Sequence, residues 1–268
     1  MKSVEVLFTP ADFAALSHRD LSKTVAVVFD VFRATSSMVA ALGNGATSVI
    51  PVGEIEEALA IRQRDPAVLL AGERDGLRIR AHLTGGIDFD LGNSPREFTR
   101  ERVAGKTIVT TTTNGTRALR ACAPANTVVI GSFLNLSATT GYLRKCAPEN
   151  LLIICSGTFE QSALEDVLGA GALCDRLWDD FDASGTSDGA LIARQLFRVG
   201  HQDLREAASA SRNGRRLISN PDLREDVTFC MQLDRFDFAA GRHPDGRIRI
   251  FQCGKQEPCS AASAGCWR

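Results

Sequence analysis

The sequence has almost no net charge: 31 Lys and Arg stand against 32 Asp and Glu, for a formal charge of -1. No basic excess marks it for nucleic acid or a membrane surface, and neither is expected as a partner. It has no apolar run long enough to span a bilayer. The opening "MKSVEVLFTP" lacks the apolar centre of a secretory signal, so a cytoplasmic location is expected.

Eight cysteines are present, yet none forms a C-x-x-C pair, which speaks against a zinc ribbon. Cys155, Cys174 and Cys230 sit inside apolar segments and are expected to pack as small hydrophobes in a reducing compartment. Cys253, Cys259 and Cys266 fall in a small, polar, non-periodic stretch, expected to be a mobile tail over residues 253–268. The histidines, His18, His82, His201 and His243, follow no recurring spacing.

The common phosphate fingerprints are also missing. "GKT" at Gly105–Thr107 precedes a strand and lacks the first glycine of a P-loop. Asp30 is followed two positions on by Phe32, not by a second acid, and Cys155 is followed six positions on by Gln161, not by arginine. No G-x-G-x-x-G follows the first strands.

What is present is a rhythm. Val/Ile/Leu-rich runs such as "TVAVVFD", "TIVTT" and "LLIICSG" alternate with helical patterns. That alternation predicts an α/β fold in three layers, a mostly parallel sheet with helices on both faces. "VEVLFT" leads into a helix with Thr9 as cap and Pro10 at its first position. "TSSMVAALGNGATSVIPVGEIEEAL" echoes "GTRALRACAPANTVVIGSFLNLSAT", a sign of weakly duplicated βα halves or of ordinary βα rhythm. After Asp180 the pattern changes. "DVTFCMQL" and "RIRIFQ" read as strands, antiparallel and near an edge. One α/β domain is expected over 1–252, with an excursion or lid over 180–226. The helix "GALIARQLF" offers a face for a second copy.

In open α/β sheets ligands bind beyond the carboxyl ends of the strands. The residues there are Asp30, Arg33, Glu73 and Arg74; Thr112, Thr113, Asn114, Gly115 and Thr116; Ser132 and Asn135; Ser156, Gly157 and Thr158; and Glu165 and Asp166 on the next helix. Acids, arginines and hydroxyl–glycine turns on one rim suit an anion together with a divalent cation. Competing local readings exist. "SPRE" (Ser94–Glu97) and "SALE" (Ser162–Glu165) have the form of capping boxes. "TTNGT" has the form of a turn with a threonine cap.

The strings "FDVFRATSSMVAALGNGA", "LLAGER", "FDLGNSPREF", "GKTIVTTTTNGTRAL", "GSFLN", "CSGTFEQSALEDVLGAG" and "DVTFCMQLD" occur in this order. Together they resemble the 2-phosphosulfolactate phosphatase family, from about Val4 to about Ile250. The resemblance implies magnesium-dependent hydrolysis of (R)-2-phospho-3-sulfolactate to 3-sulfolactate and phosphate, a step of coenzyme M biosynthesis. Phe29 and Phe32 replace commoner aliphatics, and Ser36 and Ser37 commoner threonines. The span Asp180–Asp226 is the least typical.

For such a substrate, Thr112–Thr116, "GNSP" with Asn93 and Ser94, and "CSGT" with Ser156–Thr158 are the expected anion cradles. Ser132 and Asn135 belong to the same rim, and Arg33 and Arg74 are the expected sulfonate or phosphate clamps. Asp30 and Asp166 are the first choices for magnesium, and Glu73 or Glu165 for general base. Covalent catalysis through Asp30 or Cys155 ranks below attack by water. Two other readings remain: a phosphatase for another small phosphorylated hydroxy acid, and an anion-binding module without turnover.

Overall fold

The apolar runs become strands buried on both faces. The computed structural model describes residues 1–251; the cysteine-bearing tail lies outside them. The strands are β1 (Ser3–Leu7), β2 (Thr24–Phe29), β3 (Ser48–Pro51), β4 (Leu69–Arg74), β5 (Leu77–Arg78), β6 (Thr107–Thr111), β7 (Thr127–Gly131), β8 (Asn150–Cys155), β9 (Ala240–Arg242) and β10 (Ile248–Ile250). The first helices are α1 (Pro10–Ala14), α2 (Ala34–Gly43), α3 (Ile55–Arg64), α4 (Ala81–Thr84), α5 (Arg100–Val103) and α6 (Gly115–Ala121). The rest are α7 (Leu136–Cys146), α8 (Leu164–Leu177), α9 (Asp188–Gly200), α10 (Leu204–Ser209), α11 (Arg212–Ser219) and α12 (Arg224–Cys230).

One sheet contains all of the strands among the described residues, in the order β1-β8-β2-β7-β9-β10-β3-β6-β4-β5. Strands β1, β8, β2 and β7 pair in parallel, and so do β3, β6 and β4. The antiparallel C-terminal strands exist, but they do not flank the sheet. The β9–β10 hairpin is wedged between the two parallel groups, joined to each through a single residue pair, Val129 with Gly241 and Val49 with Ile248. The two echoing strings both run helix into strand, α2 into β3 and α6 into β7, and α2 and α6 each carry the chain from one group to the other.

Alternate side chains of each strand enter different cores. Ala26 and Val28 pack with α2 and with Val49 and Ile108 of the second group. Val25, Val27 and Phe29 pack with α8 and α9 on the other face. Helix α2 is buried from Ala34 to Leu42, so it is a core element shared by both groups. Thr9 and Pro10 start α1 as expected, with a full capping box closed by Asp12.

One expectation changes. "DVTFCMQL" forms the end of α12, not a strand, and turns Asp226, Val227 and Cys230 inward. Those positions lie one and four apart, which a helix places on one side and a strand does not. The excursion 180–226 is helical. Its α9 packs on α8 through Ala190 and Ala193, while its α11 reaches the site described next. No helix among the described residues is long and apolar enough to cross a membrane.

Candidate active site

A cavity of about 340 Å³ opens where β2, β4 and β6 end. Asp30, Glu73, Thr112, Thr113 and Asn114 form one side, with Arg33 and Asn93 beside them. Thr158 and Phe159 of the β8 turn border it, and Asn213, Arg216 and Leu223 close the far side.

Asp30 ends β2 and holds the start of α2: its Oδ1 accepts the Ala34 N–H at 3.0 Å. Gly115 opens α6 directly against it. A Cβ on Gly115 would stand 2.6 Å from Ala34 Cβ and 2.8 Å from Asp30 Oδ2, so glycine is needed here for the two turns to meet. Burial lifts the Asp30 pKa to about 6, the Ala34 N–H opposes the rise, and the charges of Glu73 and Glu165 add to it.

Glu73 ends β4 and ties two turns together. Its Oε1 accepts the Thr113 N–H at 2.8 Å and its Oε2 accepts the Gly76 N–H at 2.7 Å. Gly76 belongs to a two-residue hairpin, Asp75-Gly76, with φ of 52° and 76°. Asp-Gly is the dipeptide such a turn favours, and both residues line the cavity.

Several expected residues brace the site without lining it. Asp166 accepts the Val31 N–H (2.7 Å), the Gly157 N–H (3.1 Å) and the Ser156 hydroxyl (3.1 Å). Burial raises its pKa well above the usual carboxylate range, and Asp30 and Glu165 add to the rise. Glu165 Oε1 accepts from the Asn213 amide at 2.5 Å, while its Oε2 is buried with no partner among the described residues. Burial raises Glu165 as well. Thr116 folds onto Thr112: its N–H donates to Thr112 Oγ1 and its hydroxyl to Thr112 O. The threonine turn therefore caps its own helix and still presents Thr113 and Asn114 to the cavity.

Other expected residues are elsewhere. Arg74 donates to the carbonyls of Glu73 and Gly53 and to Thr111 Oγ1, and does not line the cavity. Ser132 and Asn135 form a capping box over a short turn, and Ser132 also bonds Ser36. Neither faces the cavity, because local backbone groups take up their polar atoms. Conversely, the "SPRE" and "SALE" boxes do not form. Ser94 donates to Asp226 at 2.6 Å and makes no cap bond, and Glu165 is drawn to Asn213 instead.

Arg33 and Asp226 are the main surprise. Arg33 is 4% exposed and Asp226 0%, and they pair at 2.8 Å. Asp226 and Asn213 carried no local signal in the sequence. Their partners lie 193 and 48 residues away. The Asp-Gly pair between two strand-like segments was the signal that could have located the hairpin.

The acids that face the cavity, Asp30 and Glu73, are buried oxygen donors, the type a hard cation takes. No group of three or more His, Cys, Asp or Glu among the described residues forms a metal cage. Magnesium ordinarily takes one or two protein carboxylates and completes its shell with water and substrate phosphate. Asp30 and Glu73 line the cavity and Asp166 does not; Glu73 accepts one amide on each oxygen and Asp30 one on Oδ1, whereas Asp166 accepts from three donors.

A family model described as 2-phosphosulpholactate phosphatase matches residues 12–240. The chain belongs to the 2-phosphosulfolactate phosphatase family. It is 39% identical over 251 residues to a probable 2-phosphosulfolactate phosphatase of Caldanaerobacter subterraneus subsp. tengcongensis, covering 92% of this chain and 98% of the relative. A protein of the same description from Thermotoga petrophila is 43% identical over 211 residues, 79% of this chain and 86% of the relative. One from Carboxydothermus hydrogenoformans is 34% identical over 248 residues, 92% and 96% of the two chains. Membership in the 2-phosphosulfolactate phosphatase family makes the chain a phosphoric monoester hydrolase. The matched span holds every residue that lines the cavity, including those of α11.

Proposed function

We propose that this phosphatase hydrolyses 2-phosphosulfolactate, the compound in its relatives' names, with magnesium, giving 3-sulfolactate and phosphate. One observation carries the reading: two buried carboxylates, Asp30 and Glu73, meet the Thr112–Asn114 turn and the Arg33 guanidinium in one small cavity. A densely anionic three-carbon substrate needs this mixture of cation-holding acids and anion-holding donors. On this reading the reaction is a cytoplasmic step of coenzyme M biosynthesis.

Asp30 and Glu73 would hold magnesium, which when bound supplies positive charge to a phosphoryl oxygen. The Glu73 carboxylate keeps the Thr113 turn and the Gly76 turn at a fixed distance through its two amide bonds. The Thr113 hydroxyl, the Asn114 carboxamide and the Asn93 side chain surround the anion. Attack by water is favoured over a cysteinyl intermediate. Cys155 is fully buried and its thiol is pushed well above its ordinary pKa, so it is neither ionised nor accessible.

The test is phosphate release from 2-phosphosulfolactate with magnesium, with chelator, and with Asp30→Asn. Chelation is expected to abolish turnover, and the substitution to lower kcat/KM about 1,000-fold, the scale of losing a principal transition-state contact. Turnover that survives both treatments sinks the assignment.

A further inference from the structure

Two large apolar side chains that line the cavity stand more than half in solvent, Leu77 at 59% exposed and Phe159 at 57%. Every other phenylalanine is buried or half-buried. An aromatic ring left in water forgoes the stabilisation of burial. The backbone of Phe159 adds strain to that loss. Its φ is 56°, in the left-handed region that a bulky side chain rarely takes and that is retained mainly where function needs it.

The turn that carries Phe159 is closed and tied down. The Thr158 N–H donates to Gln161 O at 2.9 Å and the Gln161 N–H to Thr158 O at 3.2 Å, so Phe159 and Glu160 form its tip. Arg212 of α11 donates to Thr158 O at 3.0 Å and to Gln161 Oε1 at 2.5 Å. Asn213 donates to Thr158 Oγ1 at 2.7 Å, and Arg117 of α6 pairs with Glu160. Helix α11 also holds the opposite lip. Arg216 donates to Asp75 O, in the hairpin turn that leads into Leu77. Arg212 and Arg216 are four residues apart and so are neighbours on one helix face. One turn of α11 therefore fastens two tips that come from different parallel groups of the sheet, after β8 and after β4, and limits how far apart they stand.

We propose that Phe159, with Leu77 across the cavity, is a steric gate that sets the width of the phosphate ester admitted, and so is a specificity-determining residue. The gate rests on the phosphatase reading above and adds to it what turns wider esters away. The cavity, about 340 Å³, is near the small end of ligand pockets, so one aromatic ring at its mouth takes up a large share of the opening.

The experiment measures kcat/KM for 2-phosphosulfolactate and for 1-naphthyl phosphate, whose fused rings are wider than a three-carbon chain. Wild type, Phe159→Gly, Phe159→Trp and Leu77→Ala are compared. Glycine removes the ring and suits the left-handed backbone, while tryptophan enlarges the obstacle. The ratio of naphthyl to sulfolactate ester is expected to rise about 10-fold in Phe159→Gly, the scale on which pockets sort ligands by a few carbons, and to fall in Phe159→Trp. Leu77→Ala should raise it by a smaller factor. An unchanged ratio in Phe159→Gly, or a lower one, as loss of a stacking surface would give, overturns the gate and leaves the phosphatase intact. If Phe159→Gly does not fold, Phe159→Trp and Leu77→Ala decide by the same signs. If 2-phosphosulfolactate is not hydrolysed, the reading of function fails and binding decides the gate. The affinity for 1-naphthylphosphonate relative to methylphosphonate then rises in Phe159→Gly if the gate exists, and an equal ratio overturns it.

Discussion

The two walls of the cavity are built on different principles. One wall consists of strand ends: Asp30, Glu73 and the Thr112–Asn114 turn, each fixed by backbone amides within a few residues or by an adjoining turn. The other consists of α11 and α12, fixed by side chains that bond across long stretches of sequence, Asn213 to Glu165 and Asp226 to Arg33. The second combines those polar contacts with buried apolar residues, Leu217 of α11 and Val227 and Cys230 of α12.

The comparison is broken most directly at Asp226. Replacing it with alanine leaves the Arg33 guanidinium buried without its carboxylate, and about 3–5 kcal/mol of stability should disappear. Denaturant unfolding measures this, and a loss below about 1 kcal/mol, the ordinary value of an exposed pair, contradicts the buried clamp.

A smaller effect isolates the strand-end wall. Asp30 has a native pKa of about 6, above its ordinary 3.8. The native protein therefore binds the proton more tightly than the unfolded chain. Its contribution is complete below the unfolded value and is lost as pH rises through about 6, for a change of about 3 kcal/mol. Glu165 and Asp166 shift in the same direction. In chelator, wild type should thus lose more stability than Asp30→Asn between pH about 4 and about 8. Parallel curves for the two proteins remove the premise.

The smallest effect sharpens the boundary of the wall. Ser132 sits at a strand end like Asp30, yet it caps its own turn. Ser132→Ala should cost about 1 kcal/mol of stability and leave KM for the phosphate ester unchanged. A raised KM would extend the site to a turn that faces away from the cavity.

The strand-end wall was legible because its signals are local. Apolar runs buried on both faces announce parallel strands, and polar residues that follow them fall on one rim. Thus Asp30, Glu73, Thr112, Thr113 and Asn114 were found together. The same reasoning overreached at Ser132, Asn135 and Arg74, where a turn or a backbone carbonyl claims the polar atoms. It also misread "DVTFCMQL", whose β-branched and aromatic residues favour a strand in isolation. Burial of Asp226 against Arg33, and of Val227 and Cys230 in the core, makes it helical.

Sequence alone determined the βα alternation, the family and the acids at the strand ends, since each is written in neighbouring residues. Tertiary structure decided three things: that the β9–β10 hairpin divides the sheet instead of edging it, that Asp166 braces while Glu73 faces the cavity, and that α11 and α12 supply the far wall. Each depends on which distant donor reaches an acceptor first, and no local pattern of residue types records that competition.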